Sequence, residues 1–129
     1  RSRRGKSPYP NKPKSLDKLA SEEDLERAAA AARYVASDYH CPAKGSRPKR
    51  RAKPAMLCPR EWTIAEALNA IRRAILARRI SARWTGGFPR HLWHREGDVW
   101  YEARTHDGAP GEYHAYPIEH AALPAGIDV

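Results

Sequence analysis

Residues 87–119 read GFPRHLWHREGDVWYEARTHDGAPGEYHAYPIE, and the fold turns on how this stretch pairs with itself. Turn-forming residues interrupt runs of aromatic and branched ones twice, at Glu96-Gly97 and over Asp107–Gly111, which predicts three short antiparallel strands. With Glu96-Gly97 as a two-residue loop, the glycine supplies the positive φ such a loop needs. Arg95 then faces Asp98, and counting outward pairs Trp93 with Trp100, Leu92 with Tyr101 and His91 with Glu102.

Successive strand residues point to opposite faces. One face therefore collects His91, Trp93, Trp100, Glu102, Arg104 and His106. The other collects Leu92, Val99, Tyr101 and Ala103 and is the apolar one. On the third strand the same parity adds Tyr113 and Ala115 to the apolar side and sets His114 and Tyr116 beside Glu102 and Arg104. A slip of one residue would reverse every one of these assignments.

Upstream, Thr63-Ile-Ala-Glu66 is a capping box, with Thr63 as N-cap. Ile64, Leu68, Ile71 and Ile75 follow at helical spacing, and Arg72, Arg73, Arg78 and Arg79 gather where the helix dipole favours cations. An earlier helix starts at Ser21, whose hydroxyl precedes Glu22, Glu23 and Asp24. It carries a stripe of Leu25, Ala28, Ala29, Ala32 and Val35 to about Ser37. Ser15–Leu19 are expected to form one helical turn. Ile80, Ala82 and Trp84 alternate with polar residues as a first strand, broken by Gly86-Gly87, and the tail after Glu119 is expected to cap one edge. The expected class is α+β: two N-terminal helices packed on a four-stranded antiparallel sheet, the sheet spanning residues 80–119 of a single domain over 15–129.

A chain of 129 residues with 41% apolar and 30% charged content suits one soluble domain with a modest core. No apolar run approaches bilayer length, so no membrane partner is expected, and the domain is read as a monomer. The chain opens Arg-Ser-Arg-Arg, without Met or an apolar signal core, which favours a C-terminal domain excised from a larger protein. Its net charge of +9 is uneven, because residues 1–53 hold 15 Lys/Arg against 6 Asp/Glu while the remainder holds 9 against 9. A phosphate-rich partner is the simplest reason for such an excess.

Residues 1–14 form a basic, proline-bearing arm with no acid, and residues 38–60 a loop barred from regular structure by Pro42, Pro48, Pro54 and Pro59. That loop carries Lys44, Arg47, Lys49, Arg50, Arg51 and Lys53, the expected phosphate-binding patch. Cys41 and Cys58 lie at its ends with sixteen residues between them. They are compatible with a disulfide or with two buried thiols, and their spacing lacks the paired short form of a zinc site. Neither a metal nor a cofactor is implied.

A sheet face bearing a carboxylate, a guanidinium and several imidazoles suits attack by a ribose 2′-hydroxyl on its own phosphate. A base takes the 2′-OH proton, a cation steadies the charged transition state, and an acid protonates the leaving 5′-oxygen. Histidine serves either proton role near neutral pH. The candidates are His91 and His114 as the acid-base pair, Arg104 as electrostatic stabiliser, and Glu102 as base or as the group orienting His91. Trp93, Trp100 and Tyr116 are candidates to stack on bases.

Two helices followed by an antiparallel sheet with His, Glu and Arg on its exposed face resemble the ribonuclease toxin domains of the barnase, colicin D and RelE-like group, found at the C-termini of bacterial polymorphic toxins. The resemblance is one of architecture and covers roughly residues 60–119; the catalytic assignments above come from strand parity. It implies a metal-independent ribonuclease acting on tRNA or rRNA, secreted or delivered into a target cell's cytoplasm, and held by a cognate immunity protein. The competing expectation is a non-catalytic RNA-binding module, cytoplasmic, that grips the backbone through its basic arm and loop and stacks bases on an aromatic sheet face.

Overall fold

The computed structural model describes residues 15–35 and 62–127. The basic arm, the loop over 38–60 with its six basic candidates, and both cysteines lie outside them. Helix α1, Glu22–Ala31, begins where the cap predicts: Ser21 Oγ accepts from the Asp24 N–H at 3.1 Å, and Glu22, Glu23 and Asp24 face the positive end of the helix dipole. It stops six residues short of Ser37. Arg33–Tyr34 are extended instead, forming strand β1, because the Tyr34 ring is buried in the sheet layer where an aromatic packs well. Asp17 replaces the expected helical turn over Ser15–Leu19. Its Oδ1 accepts from the Leu19 and Ala20 N–H groups, and its Oδ2 from the Trp84 indole at 2.6 Å.

Helix α2, Ile64–Leu76, has both arms of the capping box, with Thr63 Oγ1 accepting from the Glu66 N–H and Glu66 Oε1 from the Thr63 N–H. Its buried stripe is Ala67, Ala70, Ile71, Ala74 and Ile75, while Ile64 is 55% exposed. The small alanines let α2 approach both α1 and the sheet closely, so the helix turns them inward and leaves the bulkier Ile64 at the rim. Arg72 Nε donates to the Ala29 carbonyl and Arg78 to that of Ala20. These two arginines tie α2 to the segment around α1.

Ile80–Trp84 does not form a full strand of the sheet. Ile80 bridges Leu92 and Ser81 bridges Leu16, after which β2, Trp84–Thr85, turns back on β3, Phe88–Pro89, as a separate two-stranded ribbon. The main sheet contains β4, His91–Glu96, β5, Val99–His106, and β6, Ala109–Ile118, as an antiparallel meander. Its fourth strand is β1, which runs parallel to β6, giving the order β1-β6-β5-β4. The fold is therefore α+β with two helices and a curled, mixed four-stranded sheet, where an all-antiparallel sheet after two N-terminal helices was expected. A two-residue strand following α1 is too short to show periodicity.

The first hairpin loop is Gly97-Asp98, with Gly97 at φ +59°. Glu96 then pairs with Val99, Trp93 with Glu102, and His91 with Arg104. Relative to the pairing read from Glu96-Gly97, each β4 residue meets a β5 residue two positions further on. An even shift preserves parity, so the division into faces stands. Leu92, Tyr101, Ala103 and Tyr113 join the helix residues in one buried cluster. Among the described residues no helix is long and apolar enough to cross a membrane.

Candidate functional site

On the face away from the helix-side core, the meander stacks residues in rows across β4, β5 and β6. One row is His91, Arg104 and His114, in direct register. The next is Trp93, Glu102 and Tyr116. Opposed residues on neighbouring strands hold their Cβ atoms about 4.5–5.5 Å apart, so Arg104 has an imidazole-bearing residue on each side. The four expected catalytic residues are thus brought onto two adjacent rows, with His91 opposite Arg104 and diagonal to Glu102.

The rows differ in access. Arg104 is exposed and His91 and His114 half-buried, whereas Trp93 and Glu102 are buried and Tyr116 is half-buried. Glu102 accepts from the Trp93 indole through Oε1 at 3.0 Å and from the Tyr116 hydroxyl through Oε2. Burial, the adjacent Glu102 charge and that hydrogen bond push the Tyr116 phenol well above its usual range, which fixes it as a donor. Trp93, at 0% exposure, and Trp100, at 4%, present no open ring face to a base. The Trp93 indole N–H serves Glu102 instead.

Each imidazole has its own scaffold. Buried Ser81 clamps the His91 backbone, its N–H donating to the His91 carbonyl and its Oγ accepting from the His91 N–H at 3.0 Å. The His91 ring lies nearly parallel to that of Trp93, centroids 6.4 Å apart. At the other end a bulge breaks the β5–β6 register between Arg104 and His106. Buried Thr105 stitches it, donating through Oγ1 to the Ala109 carbonyl and accepting there from the Gly111 N–H. The β2–β3 ribbon braces this corner: Tyr113 Oη donates to the Pro89 carbonyl, Thr85 Oγ1 to Asp107, and Arg90 pairs with Asp107 at 3.2 Å.

The bulge delivers His106 against His114, with ring centroids 5.8 Å apart and planes tilted by 49°. Burial, then the neighbouring Arg104, His114 and Arg90, hold the His106 imidazole below the ordinary histidine value, with Asp107 opposing. Parity alone placed His106 on this face, but its ring contact depends on the bulge, whose only sequence trace is the glycine at 111. Ser81 and Thr105 gave no signal, since a lone hydroxyl in a strand reads as surface. No protein-family model, curated protein or solved structure matches the chain.

Proposed function

We propose that the chain is a metal-independent ribonuclease domain that cleaves RNA by attack of the 2′-hydroxyl on the adjacent phosphate. The observation that carries this is the solvent-open row in which Arg104 sits in register between His91 and His114. A phosphate docked on Arg104 meets a guanidinium that can bind two of its oxygens and steady the charge that grows on them. Imidazoles beside it exchange protons with the attacking and leaving oxygens near neutral pH. Glu102, with both oxygens engaged by Trp93 and Tyr116, acts by fixing the row beneath and offsetting the positive charge above it. Tyr116, half-buried at the edge of that row, is the aromatic left to touch a base.

The basic excess in residues 1–53 supplies affinity for RNA without reading its sequence. Together with the resemblance to ribonuclease toxin domains read from the sequence, this supports a toxin that acts on tRNA or rRNA inside a target cell and is neutralised by an immunity protein. The test is to incubate the pure protein with total RNA in EDTA and size the products. Discrete fragments that disappear with Arg104→Ala support the reading. RNA that is bound and left whole by the wild-type chain overturns it in favour of a binding module.

A further inference from the structure

We infer that His106, His114 and Arg104 form a phosphoryl cradle in which the two imidazoles face one phosphate, and that His106, not His91, is the proton-transfer partner of His114. The catalytic half rests on the ribonuclease reading; the binding half stands without it. The His106 and His114 centroids are 5.8 Å apart. A ring N–H reaches a phosphate oxygen over about 2.7–3.2 Å, so both rings can address oxygens of the same phosphate. His91 lies two strands from His114, and its ring is stacked on Trp93.

The bulge takes one carboxylate, Glu112, away from the site. Had the pairing of Arg104 with His114 continued regularly, His106 would oppose Glu112. Instead His106 pairs with Ala109, and Glu112 forms an ion pair at 3.0 Å with Arg33 on the far edge. Among the described residues the charged and titratable groups that face His106 are Arg104, His114, Arg90 and Asp107, and Asp107 is already engaged by Thr85 and Arg90. Burial, and after it these positive neighbours, hold the His106 imidazole below its ordinary value, which favours the neutral form that accepts a proton.

In the reaction, His106 removes the 2′-OH proton and O2′ forms a bond to phosphorus. The P–O5′ bond breaks as His114 gives its proton to O5′, leaving a 2′,3′-cyclic phosphate and a free 5′-hydroxyl. His106 ends protonated and His114 neutral.

The experiment is an NMR titration of the imidazoles in the full chain, with inorganic phosphate as probe. Phosphate should raise the titration midpoints of His106 and His114 together, and His106→Asn should weaken phosphate binding about tenfold or more, as expected for loss of a charge-assisted hydrogen bond. His106 is exposed, so its replacement leaves the fold intact. Phosphate that moves neither midpoint, or a larger loss in His91→Asn than in His106→Asn, overturns the inference even where RNA is cut. Phosphate that moves both midpoints while RNA stays whole keeps the cradle and overturns the ribonuclease reading alone.

Discussion

Glu102 is 4% exposed and holds the Trp93 indole and Tyr116 hydroxyl on its two oxygens, so deleting it strands two donors. Glu102→Ala should cost about 1–3 kcal/mol for each donor left unsatisfied, read as a lower urea midpoint, and Glu102→Gln should cost less because one acceptor survives. At the reacting groups the effects should be kinetic. His114→Ala should lower RNA cleavage by about 10²–10⁴-fold and Arg104→Ala by about 10²–10³-fold, with RNA binding retained in both. Single-turnover cleavage set against filter binding separates the two readouts. Asp17 offers a pH test. Burial raises its pKa, but the Leu19 and Ala20 N–H groups and the Trp84 indole outweigh that and leave it lowered. A carboxylate lowered on folding adds stability above its ordinary range, and that stability drains as pH falls through the folded value. Unfolding curves between about pH 7 and 3 should therefore be flatter for Asp17→Asn than for the wild type. Alternation along β4 and β5 was enough to sort these side chains by face. It could not show that Trp93 and Glu102 are buried, because a strand whose second face is also covered alternates in the same way.

The hairpin loop shows how far element-level signals reach. A glycine in a loop announces a turn but not which position it takes, and Gly97 opens the loop where Glu96-Gly97 would have made it close. Only the even size of that displacement kept the faces right. Strand β1 was hidden because two residues carry no period and its partner is β6, far along the chain. The bulge was hidden because a lone hydroxyl such as Thr105 reads as surface, and because Phe88, whose ring packs close to Gly111, lies far from it along the chain. Gly111 sits at φ +92°, and a Cβ added there would lie 2.7 Å from Phe88 Cζ. Gly111→Ala should therefore destabilise by about 1–3 kcal/mol or more, seen as a lower thermal midpoint. By moving the corner that sets His106 against His114, it should weaken phosphate binding too.

At the scale of the whole molecule, the proposed function divides the labour between the charge excess of residues 1–53, which would give affinity, and the sheet face of residues 91–116, which would give chemistry. Neutralising Lys49, Arg50, Arg51 and Lys53 should lower RNA affinity for all sequences and flatten its dependence on salt. An unchanged slope in a salt titration would mean that these residues do not meet phosphate. Whether a ribose 2′-hydroxyl is the nucleophile at the site proposed on Arg104 and its imidazoles is decided by mapping one cut site in EDTA. The same substrate is then presented with a single 2′-deoxy residue at that position. Attack by the 2′-hydroxyl should leave 2′,3′-cyclic phosphate ends on the all-ribose strand and no cut on the deoxy one. Equal cleavage of both strands, or an intact all-ribose strand at every pH between about 5 and 9 with and without divalent metal, would contradict it.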